Sequence, residues 1–221
     1  MKLAAYVVAA ALALAPSAVR AQHLLVPMDD DQTNHLKAYG LTYNALKDGA
    51  KGEWLLNYRG GSFLLPDTPE LRRRAALDGI TIAAVDDATL ASIRSQMAGA
   101  NMESVPLEKA PRIAVYTAPY SPPWDDAVIL ALRYAGIPYT PIWDEEIEHG
   151  DLAKYDWVHL FHEDFTGQLG KFYINYSGAP WFVDMQRTNT AMARKLGFPN
   201  LPALKKDVAE KIREYVANGG F

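Results

Sequence analysis

The 221-residue chain carries 22 Lys and Arg against 26 Asp and Glu and has no cysteine. A net charge of −4 argues against a nucleic-acid partner, for which a basic face is expected. Without a thiol there is no cysteine nucleophile, no disulfide and no Cys-ligated metal.

Residues 1–21 read as a signal peptide. Lys2 supplies a positive start, residues 3–14 an Ala-rich apolar run, and Val19-Arg20-Ala21 a small residue for cleavage before Gln22. The run is too short to span a bilayer. The expected mature protein is therefore exported, periplasmic or extracellular, with no transmembrane segment after cleavage. Taking Lys2 and Arg20 from the 22 basic residues leaves 20 against 26 acidic ones, a charge near −6.

Residues 24–28 form an apolar strand. Asp29, Asp30 and Asp31 lead into a helix with Leu36, Tyr39, Tyr43 and Leu46 at helical spacing, ended by Gly49. Residues 53–58 read as a second strand, closed by Arg59-Gly60-Gly61. A helix with a basic face follows over 69–77, a third strand over 80–85, and a helix over 87–98 with Leu90, Ile93 and Met97 on one face. This alternation predicts a mostly parallel sheet covered on both sides. The polar, proline-bounded stretch 101–111 is the expected linker between an N-terminal α/β segment, 22–100, and a second α/β domain, 112–221.

In the second domain, 112–117 is a strand and 124–135 a helix, stopped by Gly136-Ile137-Pro138. The chain returns to the sheet over 139–143, makes a short acidic helix over 144–149, and runs a buried strand over 156–162. An aromatic segment, 165–182, fits neither period, and helices over 186–196 and 203–217 close the pattern. A helix ended by Asn218-Gly219-Gly220 and followed by Phe221 reads as the entry to another strand, so the domain is expected to be incomplete at its C-terminus.

Four groups carry candidate chemistry. Asn57-Tyr58-Arg59-Gly60-Gly61-Ser62 follows a strand; Gly60 and Gly61 let backbone amides face a ligand, and Arg59 can fork onto a carboxylate or phosphate. The plainer alternative is a Gly-Gly turn with a solvated arginine. His162 with Glu163 or Asp164 would make a general-base pair at a strand end; in the plainer alternative the acidic pair caps the next turn and His159 is a hydrogen-bonded core histidine. The three aspartates from Asp29 either bind ligand or cap the following helix, capping being the better fit. Trp157, Phe161, Phe165, Phe172, Tyr173, Tyr176, Trp181 and Phe182 either line a sugar or small-molecule cleft or pack an irregular loop. If the strands are parallel, Asp29, Arg59, Tyr120 and His162 converge on one crevice. No cofactor and no metal is implied.

Arg112-Ile113-Ala114-Val115-Tyr116, Tyr134-Ala135-Gly136-Ile137-Pro138-Tyr139 and Leu152-Ala153-Lys154-Tyr155-Asp156-Trp157 resemble the rhythm of class I glutamine amidotransferase-like, flavodoxin-like domains. Over residues 23–221 the chain is also similar to exported proteins commonly labelled asparagine synthetase B. That resemblance rests on Leu25-Val26-Pro27-Met28-Asp29, His35-Leu36-Lys37-Ala38-Tyr39-Gly40, Trp54 through Phe63, Pro123-Trp124-Asp125-Asp126-Ala127 and His162 through Gln168. It implies a doubly wound, mostly parallel α/β sheet and amidotransferase-like or hydrolase chemistry.

Glutamine-hydrolysing asparagine synthetases expose a cysteine after the initiator methionine and bind ATP through Ser-Gly-Gly-x-Asp-Ser. Here position 2 is Lys2, and Gly60-Gly61-Ser62 is followed by Phe63. The expectation is an exported amidotransferase-like protein without a complete catalytic set in this chain. The alternative is a non-catalytic envelope module that binds a carbohydrate or small molecule.

Overall fold

The computed structural model describes residues 22–122, 124–161, 164–166 and 173–221. The chain is α/β, and its described residues divide into two compact units, one up to Glu108 and the other from Lys109 to Phe221.

In the first unit the strands are β1 (His23–Val26), β2 (Gly52–Leu55), β3 (Ser62–Pro66), β4 (Ala83–Val85) and β5 (Ser104–Leu107), in sheet order β4-β1-β3-β2-β5. Every pairing in this sheet is antiparallel, which corrects the parallel arrangement expected for this segment. The reason lies between β2 and β3. Only six residues separate Leu55 from Ser62, half the dozen or more that a parallel crossover needs, so the chain folds straight back as a hairpin. Ser104–Leu107, within the stretch read as a linker, is a strand on β2. Its edge is blunted by Pro106.

Among the described residues the helices of this unit are α1 (His35–Lys47), α2 (Pro69–Asp78) and α3 (Asp87–Gly99). Each starts on a side chain that accepts an otherwise unpaired amide: Asn34 from Lys37, Thr68 from Leu71, Asp86 from Thr89. The pleat sorts the core. Leu24, Val26, Phe63 and Leu65 pack against α1 and α2, whereas Leu25, Leu55, Leu64 and Val85 pack against Ile93 and Met97 of α3.

The second unit has a parallel sheet, β7-β6-β8, built from β6 (Ile113–Tyr116), β7 (Thr140–Ile142) and β8 (Trp157–Leu160). Its helices are α4 (Ala127–Ala135), α5 (Asp144–Glu148), α6 (Pro180–Lys195) and α7 (Leu201–Ala217). Ala114, Tyr116, Ile142 and Val158 form one core with Ala193 of α6 and Leu204, Val208 and Ile212 of α7. On the other edge of β8, Phe221 donates its amide to Asp156 O (3.3 Å) and accepts from Val158 N (2.7 Å). That pattern is a parallel bridge opposite Trp157.

Asp156 anchors the start of β6. Its carboxylate accepts from the Arg112 backbone amide (2.8 Å), from Arg112 Nε (3.0 Å) and from Lys109 Nζ (3.2 Å). The Arg112 side chain, its backbone amide and then Lys109 hold the Asp156 carboxyl well below the usual carboxylate range. A depressed folded-state pKa contributes stability above the unfolded value of about 3.9 and loses it as pH falls toward the folded value. The stability gap between the native chain and Asp156→Asn should thus be widest at neutral pH and close on acidification below about pH 4. Denaturation midpoints measured across that range check it; a gap independent of pH would mean the carboxylate's charge is immaterial.

Candidate functional site

β6 and β7 end in polar and aromatic residues that the sheet itself brings together. Tyr116, the last residue of β6, is buried and donates its hydroxyl to Asp144, the first residue of α5. Lys205 of α7 reaches the same pair, with Nζ 2.8 Å from the Tyr116 hydroxyl and 3.0 Å from Asp144 Oδ1. The ammonium lies 3.8 Å from the centroid of the Trp143 ring. Trp143 stacks on Tyr116 (4.6 Å), and Phe165 stacks on Tyr116 at 5.4 Å. A fully buried charge is costly unless paired and hydrogen-bonded; here both charges are.

Tyr120 stands at the rim of this cluster. Its hydroxyl exchanges hydrogen bonds with the buried amide of Asn189 on α6 (3.0 and 3.2 Å), and its ring meets Trp143 edge-on. Tyr120 is 42% exposed, so a residue fixed at its polar tip still presents a ring to solvent.

The opposite face of the sheet holds a second pair. His159 faces Val115 across the β6–β8 ladder, one residue out of phase with Tyr116, so the pleat turns it away from the Lys205 cluster. There its Nε2 lies 3.0 Å from Asp126 Oδ2. Asp126 is the N-cap of α4: its Oδ1 accepts from the amides of Val128 (2.7 Å) and Ile129 (3.4 Å). Two helix amides and one imidazole therefore fix a carboxylate that is 3% exposed. In the neutral ring a carboxylate at Nε2 assigns the proton to that nitrogen and leaves Nδ1 as an acceptor. Such an oriented imidazole can take a proton from a bound hydroxyl or amide.

The first unit brings Asp29, Arg59 and Gly60 together. Arg59 grips Asp29 through Nε (2.7 Å) and Nη2 (3.2 Å) and also pairs with Asp31. The hydrogen-bonded guanidinium holds the Asp29 carboxyl below its ordinary value. The fork expected to hold a ligand carboxylate or phosphate is thus filled from within the chain. Asp29, Asp30 and Asp31 do not cap α1; Asn34 does. The buried Gln32 side chain, bonded to Pro27 O, Thr81 O and Thr81 N, fixes the loop that carries them.

The single crevice expected for Asp29, Arg59, Tyr120 and His162 rested on parallel strands throughout. β1 and β2 each run antiparallel to β3 and hence parallel to one another, so Asp29 and Arg59, beyond their carboxyl ends, do meet, whereas Tyr120 belongs to the second unit. His162 and Glu163 lie outside the described residues; Asp164 accepts from the amide and hydroxyl of Thr166. Among the described residues no group of three or more His, Asp or Glu is placed to hold a metal ion.

Sequence reasoning missed Asp144, Asn189 and Lys205, and it read His159 as a hydrogen-bonded core histidine without naming Asp126 as the partner. For the His159–Asp126 pair a signal was present, since a histidine inside an otherwise apolar strand needs a partner, and Asp126 heads the helix that follows the neighbouring strand β6. Lys205 gave none, because a lysine in an amphipathic helix ordinarily faces water. Comparison of the chain with known protein families, curated proteins and solved structures found no match.

Proposed function

We infer that this is an exported protein whose second unit is a flavodoxin-like domain of the class I glutamine amidotransferase-like type. It holds a small polar ligand at the carboxyl ends of β6 and β8. The supporting observation is the Asp126–His159 pair beside those strands. In the order β7-β6-β8 the chain runs outward from β6 on one side, then returns to the other, and open α/β sheets bind ligands outside the strand ends at such a switch point. The Phe221–Trp157 bridge falls where the fourth strand of a 2-1-3-4 order would lie. Asp126 orients His159, and Nδ1 of His159 meets the ligand. With no cysteine among these 221 residues, they do not by themselves hydrolyse glutamine through a thioester.

Export rests on the pattern of residues 1–21. Among the described residues no helix is long and apolar enough to cross a membrane.

The test uses the 221-residue chain expressed in a Gram-negative host. Mass spectrometry of the periplasmic fraction should find a chain starting at or within a few residues of Gln22, and the purified protein should release no ammonia from L-glutamine. Titration with L-glutamine should shift the ¹⁵N imidazole resonances of His159, and His159→Gln should weaken binding about tenfold or more, the scale of a hydrogen bond to a charged partner. Retention of residues 1–21 would sink the export reading. Silence of the His159 resonances would sink the ligand site.

A further inference from the structure

The Arg59 turn of the first unit lies beside two exposed aromatic rings, and the contacts close into a loop. Trp54 on β2 donates Nε1–H to Gly61 O (3.0 Å), which fixes the indole plane. Trp54 stacks on the buried Phe63 at 6.4 Å and 29°, and Tyr39 of α1 meets Phe63 edge-on at 5.5 Å and 70°. Four residues before Tyr39, on the same helix face, His35 Nε2 sits 3.2 Å from Met28 O. Gly60 packs against that same carbonyl, and Met28 N donates to Arg59 O (3.0 Å). The three segments Leu25–Asp29, His35–Gly40 and Trp54–Phe63 thus build one surface.

Its rings are open to solvent, Tyr39 at 47% and Trp54 at 39%, with Leu36 and Val105 exposed alongside. One ring stacks on Phe63 and the other meets it on edge, so together they form a corner rather than a flat wall. Beside the corner stand Asp29 and Arg59, whose paired side chains remain about a third exposed. Asp29, Asp30 and Asp31 outnumber the one guanidinium, which gives the turn a net negative charge.

We propose that the Tyr39–Trp54 corner, with the Asp29–Arg59 pair, is a binding site for a pyranose unit of a neutral or amino-sugar oligosaccharide. A sugar ring has an apolar C–H face for an indole and hydroxyls that both donate and accept. An ion pair with exposed edges answers them with an acceptor carboxylate and a donor guanidinium. The net negative turn repels uronates, phosphates and acidic peptides. The site lies wholly in the first unit, so it stands or falls separately from the His159 site.

Binding of N,N′,N″-triacetylchitotriose, cellotriose and maltotriose to the full chain is measured by calorimetry and saturation-transfer NMR, with a galacturonate trimer as the anionic probe. At least one neutral trimer binds, and the galacturonate trimer does not. Tyr39→Ala and Trp54→Ala each weaken binding about tenfold, the value of one aromatic contact, and Asp29→Asn weakens it further than it weakens folding. Tyr39→Ala changes an exposed helix position, so it reports on binding even if Trp54→Ala perturbs the sheet. The proposal is overturned if no neutral trimer binds, if binding survives Tyr39→Ala unchanged, or if the galacturonate trimer binds best. It is equally overturned if Tyr39→Ala converts a sedimenting dimer to monomer without affecting sugar, because the corner would then be a contact between copies of the chain.

Discussion

Lys205→Met should lower the stability of the second unit by about 3–5 kcal/mol, the cost of leaving one member of a buried ion pair behind. Lys205 and Asp144 have side chains only 4% and 1% exposed, and the Tyr116 hydroxyl bonds to both. Methionine matches the aliphatic stem and restores some packing on Trp143, but it cannot answer the carboxylate. The Asp144 oxygen that served both Lys205 and Tyr116 would keep only the phenol. Chemical denaturation of the full chain, followed by near-UV circular dichroism, measures the loss.

A double-mutant cycle separates pair from packing. If the charge left behind is the cause, Lys205→Met combined with Asp144→Asn recovers part of the loss, with a coupling of about 1–3 kcal/mol. An additive cycle would mean that Lys205 acts through its stem alone, over Trp143. The consequence would reach the rim of the site, because Trp143 also contacts Tyr120. Tyr120 exposure to a quencher should rise in the single variant and fall back in the double.

The elements were more legible than their pairing. The helical spacing of Leu90, Ile93 and Met97 gave α3, and Ile93 and Met97 are its buried residues. The strand, helix and strand from Arg112 to Trp143 follow from apolar runs and from the glycine stop at Gly136, which takes a left-handed φ of 69°. What misled was the first sheet. Ser62-Phe63-Leu64-Leu65-Pro66 directly after Gly60-Gly61 is the return strand of a hairpin; no strand was assigned there, which left out the element that runs antiparallel to both β1 and β2.

Site residues were legible only where the partner is near in sequence or the residue type is unusual for its element. Asp29 and Arg59, thirty residues apart, were both singled out, but each as a contact for a ligand rather than for the other. Asp126 and His159 meet because β6 and β8 are neighbours, which is a fact of topology rather than of local pattern. Lys205 is buried because the first turns of α7 lie at the carboxyl ends of β6 and β7, and nothing within the amphipathic run 201–217 distinguishes it from Lys206.

Gly60→Ala should be far more damaging than the same change at another glycine of similar backbone conformation, and the comparison isolates the reason. Gly60 has φ +78° and Gly79 has φ +65°, so alanine at either meets the left-handed penalty of about 1–2 kcal/mol. Around Gly79, the C-cap of α2, a new Cβ meets nothing within 4 Å. At Gly60 it would lie 2.3 Å from Met28 O, 2.5 Å from Met28 C and 2.8 Å from Asp29 N. These are backbone atoms, so no side chain can swing aside. The turn must back away from β1, which stretches the Met28 N to Arg59 O hydrogen bond and draws Arg59 off Asp29. A forced backbone shift adds about 1–3 kcal/mol, for a total of roughly 2–5 kcal/mol at Gly60 against about 1–2 at Gly79. Because Gly61 O anchors the Trp54 indole, Gly60→Ala should also weaken sugar binding at the Tyr39–Trp54 corner, while Gly79→Ala leaves it intact. Denaturation midpoints and trisaccharide calorimetry on the two variants decide it. Equal destabilisation would show that the turn and β1 are not in the close contact described, and the corner would lose the backbone that fixes its indole.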